Sequence, residues 1–422
     1  MSFRRVLAAG LAISASVLTC MPLSLRAEGD QSDPKDLDAS IDSKSEDEVT
    51  NSDLGTGTFG RLPYHVSFSL EEGYDDNVYT THQDRIGSYF TSGDMLFSYR
   101  FGSARTTFDL EADGGLTYYY HRPIGQAYDV NSGLTLNASH QATPRLGFTA
   151  SVYLSYQSEP DLNDRLGVNR RSGNYFDTSD RFSISYQWKP RFSTVTSYTL
   201  DEISYEDSGI AASQDRIEHT FGNEFRFLAW PTTTLVGEYR FQVVDFTTAP
   251  SNSTTNLFLG GFDHNFDPHF NVSVRGGIEF RRFENFQPRT SPYGESTLSY
   301  SLGPRTSLSW TNRYGLEEPD VPESHSRTTF RTGLTWTCVL FPRLTSNMSF
   351  YYQHDANAGV VTSTFVQPAF NENSIFLAPT LQFEINRTVT LVAGFSHTEI
   401  LSDIVFRDYA RDRYYLGLKV TF

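Results

Sequence analysis

Three observations predict an all-β chain folded as a transmembrane antiparallel up-and-down β-barrel. Apolar and polar residues alternate at every second place along most of the sequence. Strand pairs recur about every 40 residues around turns that contain proline, and the last strand ends the polypeptide on an aromatic residue, Phe422. That last strand shows the logic most plainly. Tyr414, Leu416, Leu418, Val420 and Phe422 share one face, and Arg413, Tyr415, Gly417, Lys419 and Thr421 share the other. About ten residues of such alternation cross a bilayer obliquely, with one face in hydrocarbon and the other in water. A sheet in hydrocarbon must close on itself, because no water is there to satisfy an open edge.

Composition sets the bounds. The chain has 422 residues, a net charge of -16 and 14% aromatic residues, with a mean hydropathy of -0.41, which excludes a bundle of apolar transmembrane helices. The only continuous apolar stretch of helical length follows Arg4 and Arg5, from Val6 to Leu18, and gives way to small and polar residues up to Ala27. Residues 1–27 therefore read as a cleaved signal peptide, with Leu25-Arg26-Ala27 as the cleavage context, and the mature chain as exported. Residues 28–60 read as an acidic, disordered periplasmic segment, since ten acids between positions 28 and 54 face only Lys35 and Lys44. Cys338 is the one cysteine after the signal peptide, which excludes an intramolecular disulfide and a thiolate metal cluster. Its place on an apolar phase makes it a packing residue.

The barrel is predicted over 61–422. Pro63 opens the first strand, in which His65, Ser67, Ser69 and Glu71 alternate with Val66, Phe68 and Leu70. Tight turns follow at Gly102-Ser103-Ala104-Arg105, Thr143-Pro144-Arg145, Lys189-Pro190-Arg191, Trp230-Pro231-Thr232, Asp267-Pro268-His269, Gly303-Pro304-Arg305, Phe341-Pro342-Arg343 and Asn386-Arg387-Thr388. Proline fixes φ for a turn and has no amide hydrogen for a central ladder, so it marks hairpin ends. Eight turns separate nine hairpins and predict 18 strands, with 16 as the alternative. The even number leaves both termini on the periplasmic side. Longer polar loops are expected on the other rim at Ser158 to Tyr175, Glu206 to Asp215, Glu284 to Glu295, Glu317 to Ser326 and Asp355 to Asn373. Short turns on one rim and long loops on the other are the asymmetry of outer-membrane barrels.

Most strands separate hydrocarbon from charge. Phe148, Ala150, Val152, Leu154 and Tyr156 share a phase, as do Phe182, Ile184, Tyr186 and Trp188. A Lys or Arg on the lipid face at the midplane costs roughly 2–4 kcal/mol, so the charged phase must line the lumen. Candidate selectivity residues are Glu111, Glu238, Arg240, Arg275, Glu279 and Arg281, with Arg100, Arg313, Arg331 and Glu384 on the same phase. Their mixed signs forecast weak ion preference. Ser158 to Tyr175 is the candidate for a loop that narrows the lumen, with Arg165, Arg170 and Arg171 beside Asp161 and Asp164. The phase is unclear over 191–205 and 254–266, where both faces mix polar and apolar residues. Aromatics at Tyr118-Tyr119-Tyr120, Trp188, Trp230, Trp310, Tyr351-Tyr352 and Tyr414-Tyr415 suit girdles at the two headgroup levels.

The sharpest local motif is Tyr74-Asp75-Asp76-Asn77 before Val78, just after the first strand. Together with the signal peptide, the hairpin repeat and Phe422, it resembles the Putative beta-barrel porin 2 family of bacterial outer-membrane proteins. That resemblance implies a cell outer-membrane barrel acting as a passive porin-like channel for small hydrophilic solutes. It also implies contact with outer-membrane lipid and lipopolysaccharide. The terminal run Tyr414, Leu416, Leu418, Val420 and Phe422 is similar to the signal read by the β-barrel assembly machinery. A dedicated saccharide or exopolysaccharide channel and a structural or adhesive barrel are the alternatives. Chemically, the motif's carboxylates with Glu71 and Glu72 suit either a divalent cation or a hydrogen-bonded turn.

Other classes find little support. No Gly-x-Ser-x-Gly elbow accompanies His82, His121, His325 or His354, so a barrel hydrolase is not expected. Neither a cofactor loop nor a basic nucleic-acid face is present. A plugged transporter would need a folded domain ahead of the first strand and usually about 22 strands.

Overall fold

The computed structural model describes residues 64–422 apart from 159–161, 164–166, 169–172, 320–323, 325, 362–365 and 405–406. The signal peptide, the acidic segment and the cluster Asp161, Asp164, Arg165, Arg170 and Arg171 lie outside the described residues.

Eighteen strands form one closed antiparallel sheet. In chain order they are β1 (Tyr64–Asp75), β2 (Ser88–Ser103), β3 (Thr106–Tyr119), β4 (Tyr128–Thr143), β5 (Leu146–Gln157) and β6 (Tyr175–Lys189). Next come β7 (Phe192–Tyr205), β8 (Arg216–Trp230), β9 (Thr233–Phe246), β10 (Ser253–Asp267), β11 (Phe270–Phe283) and β12 (Arg289–Leu302). The last six are β13 (Thr306–Glu317), β14 (Arg327–Phe341), β15 (Leu344–Asn357), β16 (Phe370–Glu384), β17 (Val389–Ser402) and β18 (Tyr409–Thr421). Each strand pairs with its chain neighbours, and β18 returns to β1 with Ser67 opposite Thr421 and Asp75 opposite Arg413. At the seam's end the Val66 and Phe422 amides donate to each other's carbonyls at 3.3 and 2.9 Å.

All eight expected tight turns lie on one rim. Proline at the first turn position needs φ near -65°, which rules out the left-handed hairpin turns whose twist matches flanking strands. A one-residue register shift beside five of these turns takes up the mismatch, as between Gln141 and Thr143 or Val339 and Phe341. The turn at 303–305 instead uses a 3-10 turn that opens with Gly303 at φ +62°, a left-handed conformation that favours glycine.

Two sequence expectations are corrected on the loop rim. Residues 284–295 are not all loop, because β12 begins at Arg289. The stretch reads as polar since Arg289, Ser291, Tyr293 and Glu295 face inward in register with Arg281, Glu279, Gly277 and Arg275. The loop at 206–215 carries a short helix, α1 (Ser208–Gln214), capped by the Asp207 carboxylate, which accepts from the amides of Gly209 and Ile210. The two stretches of unclear phase are regular strands, β7 and β10. Their outward polar groups bond one another, as in Thr196 to Asn223 at 2.7 Å and Trp188 to Thr194 at 3.0 Å. Their inward Leu257 and Leu259 pack on Tyr293. Pairing among themselves is how polar side chains persist on a wall with no water.

The outward face is apolar and open, with Leu416 56% exposed and Phe422 71% exposed, as befits a wall solvated by lipid. Gly237, Gly260, Gly276 and Gly294 are direct cross-strand neighbours there and form a furrow bare of side chains. Alternation also splits the aromatic clusters. Tyr118, Tyr120, Tyr352 and Tyr414 face outward, but Tyr119, Tyr351 and Tyr415 face the lumen and leave the girdle; Trp310 sits mid-strand, its Nε1 donating to Thr332 at 2.8 Å.

A sheet with no edge resists detergent until heat opens it. Unboiled protein is expected to migrate as a compact band on a detergent gel, and boiled protein as the extended chain. Phe422→Asp, which places charge where the terminal ring meets Phe68 at 6.5 Å, should lower the compact fraction in membranes. Unchanged heat-modifiable levels of that variant would contradict a role for the terminal ring in closure.

Candidate functional site

The first site is the seam, where Tyr74-Asp75-Asp76-Asn77 sits. Tyr74 faces outward and meets Tyr89 edge-on at 5.1 Å. Asp75 faces inward with no exposed surface, and its Oδ2 accepts from Nε of Arg411 at 2.9 Å while Arg413 lies at 3.6 Å. Arg411 also donates to the Tyr119 hydroxyl at 3.3 Å. Asp76 Oδ1 accepts the Asp412 amide at 2.7 Å, and burial raises the Asp76 carboxyl above the usual range. Asn77 donates from Nδ2 to the carbonyls of Thr81 and Ala410 at 2.9 and 3.0 Å, and its amide donates back to Asp75 Oδ1 at 3.0 Å. The motif therefore clasps the end of β1 to β18. Of the two sequence readings, the hydrogen-bonded turn describes it; among the described residues no group of three or more His, Cys, Asp or Glu is arranged for a metal ion.

Past the clasp the first loop packs inward. Val78 buries itself against Phe90 and Tyr119, joined by Tyr79, Ile86 and Tyr415. The Tyr79 hydroxyl donates to the Ile124 carbonyl at 2.6 Å, which ties this loop to the next. Apolar Val78 beside the acids was the available signal for an inward loop.

The second site is the lumen wall of β8 to β15. Arg216 pairs with Glu218 at 2.8 Å, Arg226 with Glu224 at 2.7 Å, and Arg240 with both Glu238 and Glu295, the latter at 2.7 Å. The Tyr293 hydroxyl donates to Glu295 at 2.6 Å, and Arg313 lies over the Tyr293 ring at 5.8 Å. Towards the turn rim Arg275 pairs with Asp263 at 2.7 Å; nearer the loop rim Arg281 pairs with Glu318 at 2.6 Å, and Arg331 with Glu317 at 2.9 Å. Glu279 accepts the Leu316 amide.

Glu238, Arg240, Arg275, Glu279 and Arg281 are thus brought together on β9 to β11, and Arg313 and Arg331 join them. Glu111 stands apart on β3, opposite Ser98 and Thr135, six to eight strands around the ring. Its inward neighbours on β2 and β3 are Asp94, Asp109 and Asp113; Arg100 pairs with Asp109. Sequence reading missed Arg216, Glu218, Glu224, Arg226 and Glu295, although opposite charges two residues apart on one phase, as in Glu224-Phe225-Arg226, were a legible sign.

A closed barrel with a hydrocarbon-solvated exterior and an ionisable interior defines the class: a membrane β-barrel of porin type. The family described as Putative beta-barrel porin 2 matches residues 292–422, from within β12 to the end of the chain. The resemblance drawn from the sequence is thereby met over the last third of the barrel. No curated protein matches the sequence. Among solved structures, the outer membrane protein OpdK of Pseudomonas aeruginosa is similar at 10% identity and a TM-score of 0.46, over 85% of this chain and 99% of that one. OccAB4 of Acinetobacter baumannii gives 10% identity and a TM-score of 0.44 over 86% and 99%. The siderophore receptor PirA of Pseudomonas aeruginosa gives 10% and 0.42 over 85% and 80%.

The clasp can be tested directly. Asp75→Ala leaves the Arg411 guanidinium buried without its carboxylate, an arrangement that costs roughly 3–5 kcal/mol. The temperature at which the compact gel band is lost should fall well below that of the wild type, whereas the exposed Asp84→Asn, which suits the left-handed φ of +53° there, should leave it unchanged. Equal midpoints for all three proteins would mean that the motif does not hold the seam.

Proposed function

We propose that the protein is a passive porin-like channel of the cell outer membrane for small hydrophilic solutes. The observation that carries this reading is the lumen wall itself, because rows of ionisable side chains on the inner face of an 18-stranded barrel need water to solvate them. A barrel of this width is too wide for one layer of side chains to fill. The exposed apolar outer wall, the inward charge and the family match over 292–422 support the outer-membrane location.

Charge on the two sides of the lumen differs in kind. On β8 to β15 arginines and glutamates neutralise each other in pairs, so their net field is small. On β2 and β3 the inward residues Asp94, Asp109, Glu111 and Asp113 outnumber Arg100. This imbalance gives the channel a modest cation preference. Tyr119, Tyr175 and Tyr293 are too buried for sugars to stack on, so the saccharide alternative would rest on partly buried lumen tyrosines such as Tyr351 and Tyr415.

Planar-bilayer recording of the purified mature chain under a potassium chloride gradient provides the test. Open channels with a reversal potential of cation sign are expected, and Asp94→Asn with Asp113→Asn should move that potential towards zero. A correctly inserted, heat-modifiable protein that passes no ions would falsify the channel and favour a structural or adhesive barrel.

A further inference from the structure

Six of the eight short turns carry proline, and the turns share a further feature. At seven of them the carbonyl of the residue just before the second strand accepts an amide from the strand that follows. Arg105 accepts from Gln141, Arg145 from Gln187, Arg191 from Leu228, Thr232 from Asn265, His269 from Ser301, Arg343 from Glu384 and Thr388 from Thr421, all at 2.8–2.9 Å. The fold repeats this backbone position and asks nothing of the side chain. Yet four of the seven are arginine, Arg387 stands one place before Thr388, and the remaining turn carries Arg305. All six arginines are exposed. Among the described residues none of them forms an ion pair, and only Arg343 donates a side-chain hydrogen bond, to the Ile385 carbonyl at 3.5 Å. The arginines of the lumen wall, by contrast, sit against carboxylates. A chain of net charge -16 thus holds, among the described residues, a ring of cations without carboxylate partners on one rim.

Two further features lie beside that ring. Trp188, Trp230, Phe266 and Phe341, from 56% to 66% exposed, immediately precede turns and mark the headgroup level. Above Arg105 and Arg145 the outer wall holds a groove of about 460 Å³. Ala138 and Ala150, directly paired, leave its floor low between Phe108, Phe148 and Phe182, and Thr106 bonds His140 at 2.8 Å on its turn-rim side.

We propose that the turn rim binds anionic phospholipid, the arginine ring holding headgroup phosphates and the groove above Arg105 and Arg145 seating an acyl chain. Guanidinium groups match phosphate oxygens with two parallel hydrogen bonds. A groove that joins apolar walls to a basic mouth fits a lipid from end to end. The proposal rests on the membrane-spanning reading of the barrel and is independent of conduction.

The test is native mass spectrometry of the purified mature chain in detergent with equimolar phosphatidylglycerol and phosphatidylethanolamine. An arginine near an anionic surface is worth about a five-fold preference, so the wild type should retain phosphatidylglycerol over phosphatidylethanolamine at least about five-fold. Replacing all six by glutamine, R105Q, R145Q, R191Q, R305Q, R343Q and R387Q, should abolish the discrimination, and the matching lysine set should restore part of it. Heat-modifiable migration of each variant establishes that the barrel is closed. Ala150→Leu, which raises the groove floor and leaves the ring intact, should lower the number of retained lipids. Equal retention of both lipids by the wild type, or unchanged preference in the glutamine set, overturns the proposal. So does loss of lipopolysaccharide binding in that set while phosphatidylglycerol is retained.

Discussion

The constraint on which everything else depends is the closure of the backbone hydrogen-bond ring in a medium without water. Seventeen neighbouring pairs form from strands close in sequence, each joined by one connection. The eighteenth, β1 with β18, joins residues that lie more than three hundred positions apart. Loop-closure entropy opposes that pair, and local turn chemistry cannot help it. The side chains at the seam are consistent with this need. Asp75 holds Arg411 and Arg413, Asn77 reaches the Ala410 carbonyl, and Phe422 ends the ladder against Val66 and Phe68. A polar cluster buried on the inner side does for the seam what a tight turn does for every other pair.

Charge is sorted by the same alternation that sorts hydrocarbon. Most inward arginines of β8 to β15 meet carboxylates two residues away, on the next strand or, for Arg240 and Glu295, three strands along, so the wall is polar without a large field of its own. Outward polar side chains are few and bond one another across strands. At the rim of short turns six arginines, among the described residues, stand clear of carboxylates, and there the surroundings are headgroups and water.

Much of this was legible in the sequence because a period of two survives in single strands. The eight turns, six of them marked by proline, the strand number and the inward phase of Glu238, Arg240, Arg275, Glu279 and Arg281 all follow from counting in twos between turns. What was not legible depended on partners distant in sequence. Tyr74 to Asn77 suits a cation or a turn until β18 lies beside it. The stretch from Arg289 to Glu295 looks like loop because its inward residues are polar and its outward ones include Pro292 and Gly294. The triple tyrosine at 118–120 looks like one girdle until pleating sends Tyr119 inward to meet Phe90 and Arg411.

The register of the seam is the claim from which the clasp, the lumen phase and the terminal strand's outward face all follow. Ser69 and Lys419 are directly opposed at a position that does not exchange backbone hydrogen bonds, where side chains approach closely enough for a disulfide. Oxidation of the membrane-inserted variant S69C/K419C should give a cross-link between the first and last strands, resolved by mass spectrometry of proteolysed protein. The pair S69C/T421C, displaced by two residues, should give little. Cross-linking of the displaced pair in preference to the aligned one would contradict this closure.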